Sequence, residues 1–107
     1  MTWKWYLTIA AVRQYMELAG LRGELEDDNP DYRAAMDDLG ELSLTAQRVE
    51  GKETRSGGEV WRGRITLYRR RHGKIVLPGK KHRVECVVMP PIRSEGDLPQ
   101  LVRITLK

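Results

Sequence analysis

Residues 60–70 read Val-Trp-Arg-Gly-Arg-Ile-Thr-Leu-Tyr-Arg-Arg, and this stretch alternates between apolar and basic side chains. An alternation with a period of two predicts a β-strand with two different faces, because successive side chains point to opposite sides of a sheet. Trp61, Ile65 and Leu67 are predicted to face a core. The opposite face is predicted to carry Arg62, Arg64, Tyr68 and Arg70. The stretch is therefore expected to be both the centre of a sheet and an exposed basic surface.

The residues after this stretch continue the strand pattern. Turns are predicted at residues 71–73 and 78–81, so a short strand at 74–77 is expected to precede strands at 82–89 and 101–107. In the strand at 82–89, Val84 is expected to point inward and Arg83 outward. In the last strand, Val102 is expected to point inward and Arg103 outward. Consecutive strands joined by short turns pair in the antiparallel sense.

The residues before this stretch carry the periodicity of helices. A short strand is predicted within residues 3–9, where aromatic and β-branched side chains are frequent. Thr8 is a suitable cap for a first helix that ends near Gly20, because glycine accepts the left-handed backbone of a helix end. Asn29 is predicted to cap a second helix, with Pro30 at its first position.

The predicted fold class is α+β. A short N-terminal strand and two helices are followed by an antiparallel sheet of about four strands, with the helices packed on one face. The length of 107 residues suits a single domain. Within residues 1–107 we expect an acidic helical layer at 1–50, a flexible loop at 51–58 and a basic antiparallel sheet at 59–107. The loop is predicted because residues 50–58 are polar and rich in glycine.

The charge is divided unevenly between the two halves of the chain. The net charge is +4, but residues 1–50 contain five Lys/Arg against ten Asp/Glu, and residues 51–107 contain fourteen against five. A basic half of this kind is typical of proteins that bind a phosphate-bearing partner. The alternative interpretation is that the basic side chains only keep an exposed sheet face soluble.

Six residues form the candidate nucleic-acid-binding site. Arginine suits phosphate because its planar guanidinium donates two parallel hydrogen bonds and also stacks on bases. An exposed tyrosine offers a stacking surface of the kind that unpaired RNA bases use, so RNA is favoured over DNA. The predicted site consists of Arg62, Arg64, Tyr68, Arg70, Arg83 and Arg103.

The sequence contains little that indicates catalysis, metal binding or cofactor binding. Histidine is a common acid–base catalyst and His82 lies beside Arg83 in the sequence, but no arrangement of residues identifies a catalytic set, so catalytic residues stay unassigned. Neither histidine has a metal-ligating neighbour at suitable spacing, and no glycine-rich phosphate loop occurs, so no metal and no cofactor are expected.

The expected location is the cytoplasm. The single cysteine, Cys86, allows no internal disulfide and is expected to be an inert thiol in the core. No apolar run reaches the roughly 18–20 residues that cross a bilayer, so no membrane partner is expected.

The order of elements resembles that of the RelE-like bacterial ribonuclease toxins. Residues 7–17 read Leu-Thr-Ile-Ala-Ala-Val-Arg-Gln-Tyr-Met-Glu and also resemble a helix of a related group of poorly characterised bacterial proteins, with the pattern Thr-x-His-Ala-x-x-Arg-Tyr. Ala11 and Tyr15 match this pattern. Ala10 stands in the place of the histidine, and Gln14 stands in the place of the arginine, which is displaced to Arg13.

The resemblance implies a sheet whose basic concave face cleaves mRNA. Carried over to this chain, it indicates the sheet arginines Arg62, Arg64, Arg83 and Arg103. Because Ala10 replaces the histidine of the helical pattern, the resemblance favours a binding or structural descendant over an active nuclease.

Three hypotheses about function follow. The leading hypothesis is a small cytoplasmic nucleic-acid-binding module, for RNA rather than DNA. The second is a RelE-like, metal-independent endoribonuclease in which Tyr68 or His82 moves protons and arginines stabilise the developing charge. The third is a protein-interaction module of phage or mobile-element origin, which binds an acidic protein partner or forms a homodimer through its oppositely charged layers.

Overall fold

The chain folds into a five-stranded sheet with two helices packed against it. The structure, a computed structural model, describes residues 3–71, 74–91 and 98–107, with residues 69–71 and 74–79 described by their backbone. The elements are β1 (Tyr6–Leu7), α1 (Ile9–Ala19), α2 (Pro30–Thr45), β2 (Gln47–Glu53), β3 (Glu59–Arg71), β4 (Lys74–Met89) and β5 (Gln100–Leu106). The strand order is β1-β5-β4-β3-β2. The α+β class is confirmed. The sheet is mixed rather than antiparallel, because β1 pairs in parallel with β5.

Both helices begin where the capping residues predict, and α1 also ends where Gly20 predicts. The Thr8 hydroxyl accepts a hydrogen bond from the Ala11 N–H at 3.2 Å, and Gly20 closes α1 with a φ of 80°. The Asn29 side chain accepts a hydrogen bond from the N–H of Asp31, so it caps α2 ahead of Pro30. Within the described part of the chain, neither helix has the length and the apolar character needed to cross a membrane.

Strand β2 is an element that the sequence did not predict. Residues 51–53, which were expected in a flexible loop, continue a strand that begins at Gln47 and pairs with β3. The turn that follows is closed by hydrogen bonds between Thr54 and Gly58, at 2.9 Å for both the backbone and the hydroxyl contact. Of the seven β2 residues, Val49 alone is partly buried. Such a strand has no apolar alternation by which sequence reasoning could find it.

Strand β4 is one long element where two short strands were predicted. The expected turn at residues 78–81 is wrong, because Leu67 pairs with Lys80 and Arg69 pairs with Val76. One β3 residue therefore lies opposite three β4 residues, and this bulge contains Pro78. Proline cannot donate a hydrogen bond to the sheet, and a bulge is one of the places where a strand tolerates it.

The helices cover one face of the sheet, and Gly63 identifies which face. A Cβ atom at Gly63 would lie 2.4 Å from Cδ1 of Leu42 in α2, so residue 63 faces the helices. Because side chains alternate, Trp61 and Ile65 share this face, and both pack in or against the buried core. Trp61 makes an edge-on contact with Trp5, with ring centroids 5.6 Å apart. The residues between them in sequence point to the opposite face, which we call the outer face.

A second bulge changes the inward residue of the last strand. Val87 pairs with Arg103 and Val88 pairs with Leu101, so Val102 is an extra residue without a partner in register. Leu101 is fully buried, whereas Val102 is only partly buried. The prediction that Val102 points into the core is therefore wrong, because the bulge gives that place to Leu101.

Candidate nucleic-acid interface

Three cations lie side by side across the outer face. Arg64 in β3 is directly opposite Arg83 in β4, and both side chains are exposed. The backbone N–H of Lys107 donates to the Arg83 carbonyl at 3.1 Å, which places Lys107 beside Arg83 on the next strand. Neighbouring strands are about 4.8 Å apart, so the three charges form a closely spaced line. We call Arg64, Arg83 and Lys107 the cationic row. A cleft of about 310 Å³ lies over it and is also lined by Arg62.

Glu85 lies beside the cationic row and forms ion pairs with three cations. Its carboxylate lies 3.4 Å from Arg62 Nε, 3.3 Å from Lys52 Nζ and 3.3 Å from Lys107 Nζ. Partial burial raises the pKa of Glu85, but the hydrogen bonds and charges of Lys107 and Lys52 outweigh that effect, so the pKa is lowered overall. Glu85 is therefore ionised at neutral pH and orients the cations around it.

The remaining charge of the row is not balanced. Among the described residues, no carboxylate forms an ion pair with Arg64 or Arg83. Residues 60–84 contain nine lysines and arginines and no aspartate or glutamate. Like charges directly opposite each other on neighbouring strands destabilise a sheet. The outer face therefore has a positive potential that an anionic ligand would relieve.

Tyr68 is not part of this surface. Its hydroxyl donates a hydrogen bond to Oδ2 of Asp38 in α2 at 2.5 Å, and the Tyr15 hydroxyl of α1 donates to the same oxygen at 2.7 Å. Burial, reinforced by the charge of Asp38, raises the pKa of both phenols. The prediction that Tyr68 lies beside the arginines is wrong, because Tyr68 occupies the register shift between Leu67 and Arg69.

Of the other predicted site residues, some lie at the cleft over the cationic row and others do not. Arg62, Arg64 and Arg83 share the outer face and line one cleft. Arg103 is exposed, but it pairs with Val87, four residues along β4 from Arg83, which corresponds to about 13 Å along a strand. The side chain of Arg70 lies outside the described residues.

Three residues of the surface were not among the predicted site residues. Lys52, Lys107 and Glu85 complete the charge pattern, and their contacts join β2, β4 and the end of β5. No pattern of neighbouring residues in the sequence predicts such contacts between distant segments. Lys81, which was predicted to extend the basic patch from a turn at 78–81, instead lies within β4 in alternation with Arg83 and Glu85.

A second cleft lies along the edge of β3. The register of β2 with β3 ends at Arg62, and this cleft of about 590 Å³ lies between the next β3 residues and α2. We call it the edge cleft. Arg62 and Arg64 line both clefts, so the edge cleft adjoins the cationic row. Its polar lining includes Asp38, Glu41, Thr45, Gln47, Arg62, Arg64 and Lys81.

Among the groups with catalytic or metal-binding chemistry, His82 lies next to the backbone of the row and Cys86 lies in the core. Nε2 of His82 is 3.2 Å from the Lys107 carbonyl oxygen. Cys86 is fully buried, as predicted, and burial followed by the charge of Glu85 raises the pKa of its thiol to about 12. In the part of the chain that the structure describes, no three His, Cys, Asp or Glu residues are grouped so that they could hold a metal ion.

The substitution Glu85→Gln is expected to strengthen binding of polyanions to the outer face. It removes the carboxylate that competes with phosphate for Arg62, Lys52 and Lys107. We expect a several-fold higher affinity for single-stranded RNA at low salt, together with a steeper salt dependence. The measurement is fluorescence anisotropy with labelled RNA, and Glu50→Gln in β2 is a charge-matched control. An affinity no higher than that of the control would contradict this role of Glu85.

The order of elements and the segment at residues 7–17 are the two features that resemble the RelE-like toxins and their relatives. That resemblance stays a prediction. Comparison of the chain with protein-family models, curated proteins and solved structures finds no match.

Proposed function

We propose that this chain is a small nucleic-acid-binding module that holds a phosphate backbone on the cationic row, with RNA as its ligand. One observation carries the proposal: Arg64 lies directly opposite Arg83 with no described carboxylate between them. This pairing costs stability in the free protein. A phosphate between the two guanidinium groups converts the repulsion into charge-assisted hydrogen bonds.

The shape of the surface supports a single strand as the ligand. Single-stranded RNA is commonly bound on an open sheet face, with its bases splayed out and stacked on planar side chains. Arg64 and Arg83 are exposed on such a face, and a guanidinium plane can stack on a base as well as bind phosphate. The arginines thus supply the stacking that had been expected from Tyr68.

The ribonuclease hypothesis has less support from the geometry. It requires a group that moves protons beside the bound phosphate. Tyr68 donates to Asp38 on the helical side of the sheet, and its raised pKa keeps it protonated. His82 is opposite Ile65 in register, and Ile65 is in the buried core. We therefore expect bound RNA to remain intact.

The proposal is tested by the salt dependence of binding. Fluorescence anisotropy would be measured with a short labelled single-stranded RNA and a duplex DNA, from about 50 to about 200 mM salt. Three phosphate contacts at the row predict a slope of log K against log salt of about −2 for the single strand. Each sample would then be run on a denaturing gel. Cut RNA would favour the ribonuclease. An absence of binding at the lowest salt would overturn the proposal and leave a solvated basic face or a surface for an acidic protein partner as the alternatives.

A further inference from the structure

The edge cleft differs from the cationic row in one respect that a phosphate does not explain. Two carboxylates, those of Asp38 and Glu41, line the cleft together with Arg62, Arg64 and Lys81. A phosphate is repelled by carboxylates, so a cleft for phosphate alone would not contain them. Carboxylates accept hydrogen bonds, and the ligand of this cleft should therefore carry N–H donors as well as negative charge.

The edge cleft is large enough to hold a flat ring, since its volume of about 590 Å³ lies within the usual range for small-molecule sites. Leu42 and Ile65 also line it, but both are almost fully buried, so the accessible walls are formed mainly by the polar and charged side chains. A Cβ atom at Gly63 would collide with Leu42, so the glycine allows α2 to approach β3 closely at the base of the cleft.

The acceptors at the rim are only partly used within the protein. Oδ2 of Asp38 accepts hydrogen bonds from Tyr15 and Tyr68, which fix the position of this carboxylate, and no described side chain donates to its other oxygen. Glu41 is exposed, and no described side chain donates a hydrogen bond to its carboxylate. Asp38 is thus a rigid acceptor and Glu41 an adaptable one.

The position of the cleft connects it to the row. Arg62 and Arg64 line both clefts, so a strand whose phosphates lie on the row passes the mouth of the edge cleft. An unpaired base of that strand can turn into the cleft while its phosphate stays on Arg64. A base in a duplex cannot do so, because its hydrogen-bonding edge is already paired.

We infer that the edge cleft binds one unpaired base with an exocyclic amino group, from a single strand whose phosphates lie on the cationic row. The inference rests on the proposed function. Glu41 and Asp38 accept hydrogen bonds from the amino group, as carboxylates do from N4 of cytosine. Uracil has a carbonyl oxygen in that position, which the carboxylates repel. The edge cleft therefore discriminates between bases, whereas the cationic row binds the phosphates of a strand of any sequence.

The experiment compares two single-stranded RNA homopolymers, oligo(C) and oligo(U), at neutral pH by fluorescence anisotropy. The wild-type protein is expected to bind oligo(C) about five- to hundredfold more tightly than oligo(U). In Glu41→Ala this ratio is expected to fall to about one. The matched control is Asp37→Ala, which removes the same charge from an exposed position of α2 that does not line the cleft. The control should raise both affinities slightly and keep the ratio.

The outcomes separate this inference from the proposed function. Equal affinity of the wild-type protein for both homopolymers would overturn the inference and leave phosphate binding intact. A preference that persists in Glu41→Ala would also overturn it, because the carboxylate would not then be reading the base. If neither homopolymer binds at low salt, the proposed function itself fails. Circular dichroism of Glu41→Ala would verify that α2 is retained.

Discussion

Replacement of both Arg64 and Arg83 by glutamine is expected to weaken RNA binding about a hundredfold at low salt. Each arginine loses its charge-assisted hydrogen bonds to phosphate, and each such loss costs roughly tenfold or more in affinity. The slope of log K against log salt should also become shallower by about 1.4, because two fewer counterions are released from a single strand. Anisotropy titrations of wild-type and doubly substituted protein across the same salt series measure both effects.

The control for this experiment removes the same charge from the helical layer. Arg13 in α1 and Arg33 in α2 are exposed, and Arg13→Gln with Arg33→Gln lowers the net charge by the same amount. We expect only a small loss of affinity for this control. Equal losses in the two double variants would show that total charge, and not the row, determines binding.

The same double substitution should stabilise the free protein, which distinguishes a binding role from a structural one. Arg64 and Arg83 repel each other across the β3–β4 pair, so their neutralisation removes an unfavourable interaction of a few tenths of a kcal/mol to about 1 kcal/mol. Thermal unfolding is expected at an unchanged or higher temperature. A clear fall would mean that the arginines support the fold.

The stability of the protein is expected to fall steeply above about pH 10. Tyr15 and Tyr68 both donate to Asp38, and burial raises the pKa of each phenol above the value of about 10 that it has in the unfolded chain. Above that pH the unfolded state releases protons that the folded state retains, so the free energy of unfolding decreases. The two phenols give a slope of up to about 2.7 kcal/mol per pH unit, and the buried Cys86 thiol, whose pKa is also raised, adds up to about 1.4. Urea unfolding at a series of alkaline pH values measures this slope.

Single substitutions assign the alkaline effect to its residues. Tyr15→Phe should lower the slope by up to about 1.4 kcal/mol per pH unit, and the lost hydrogen bond should lower the free energy of unfolding at neutral pH by about 1–2 kcal/mol. Tyr6→Phe is the control, because the Tyr6 side chain is largely exposed and lies in the short strand β1. If Tyr15→Phe left the slope unchanged, another group would be responsible for the alkaline unfolding.

Local features of the chain predicted the helices correctly. Thr8 and Asn29 cap backbone N–H groups within three residues of themselves, and Gly20 ends α1 by its own backbone conformation. These interactions depend on neighbours in sequence, so they can be recognised without a structure. The alternation that placed Arg62 and Arg64 on one face of β3 is of the same local kind.

Strand register could not be predicted in the same way. The bulge opposite Tyr68 and the bulge at Val102 each change which residue points inward, and both depend on how one strand fits its neighbour. Val102 is one extra residue in its strand and shifts the alternation there, whereas Tyr68 lies where three β4 residues interrupt the regular pairing that fixes side-chain direction. Tyr68 therefore lies with Asp38 rather than with the arginines, although its place in the sequence pattern is regular.

The sequence by itself determined the α+β class, both helices with their caps, the separation of acidic and basic halves, and the shared face of Arg62, Arg64 and Arg83. Only the tertiary structure decided the existence of β2, the parallel pairing of β1, and the meeting of Glu85 with Lys52 and Lys107. The edge cleft likewise exists because α2 lies beside the edge of β3. The physical reason is range: caps and alternation act between near neighbours in sequence, whereas register, bulges and clefts depend on contacts between segments far apart in the chain.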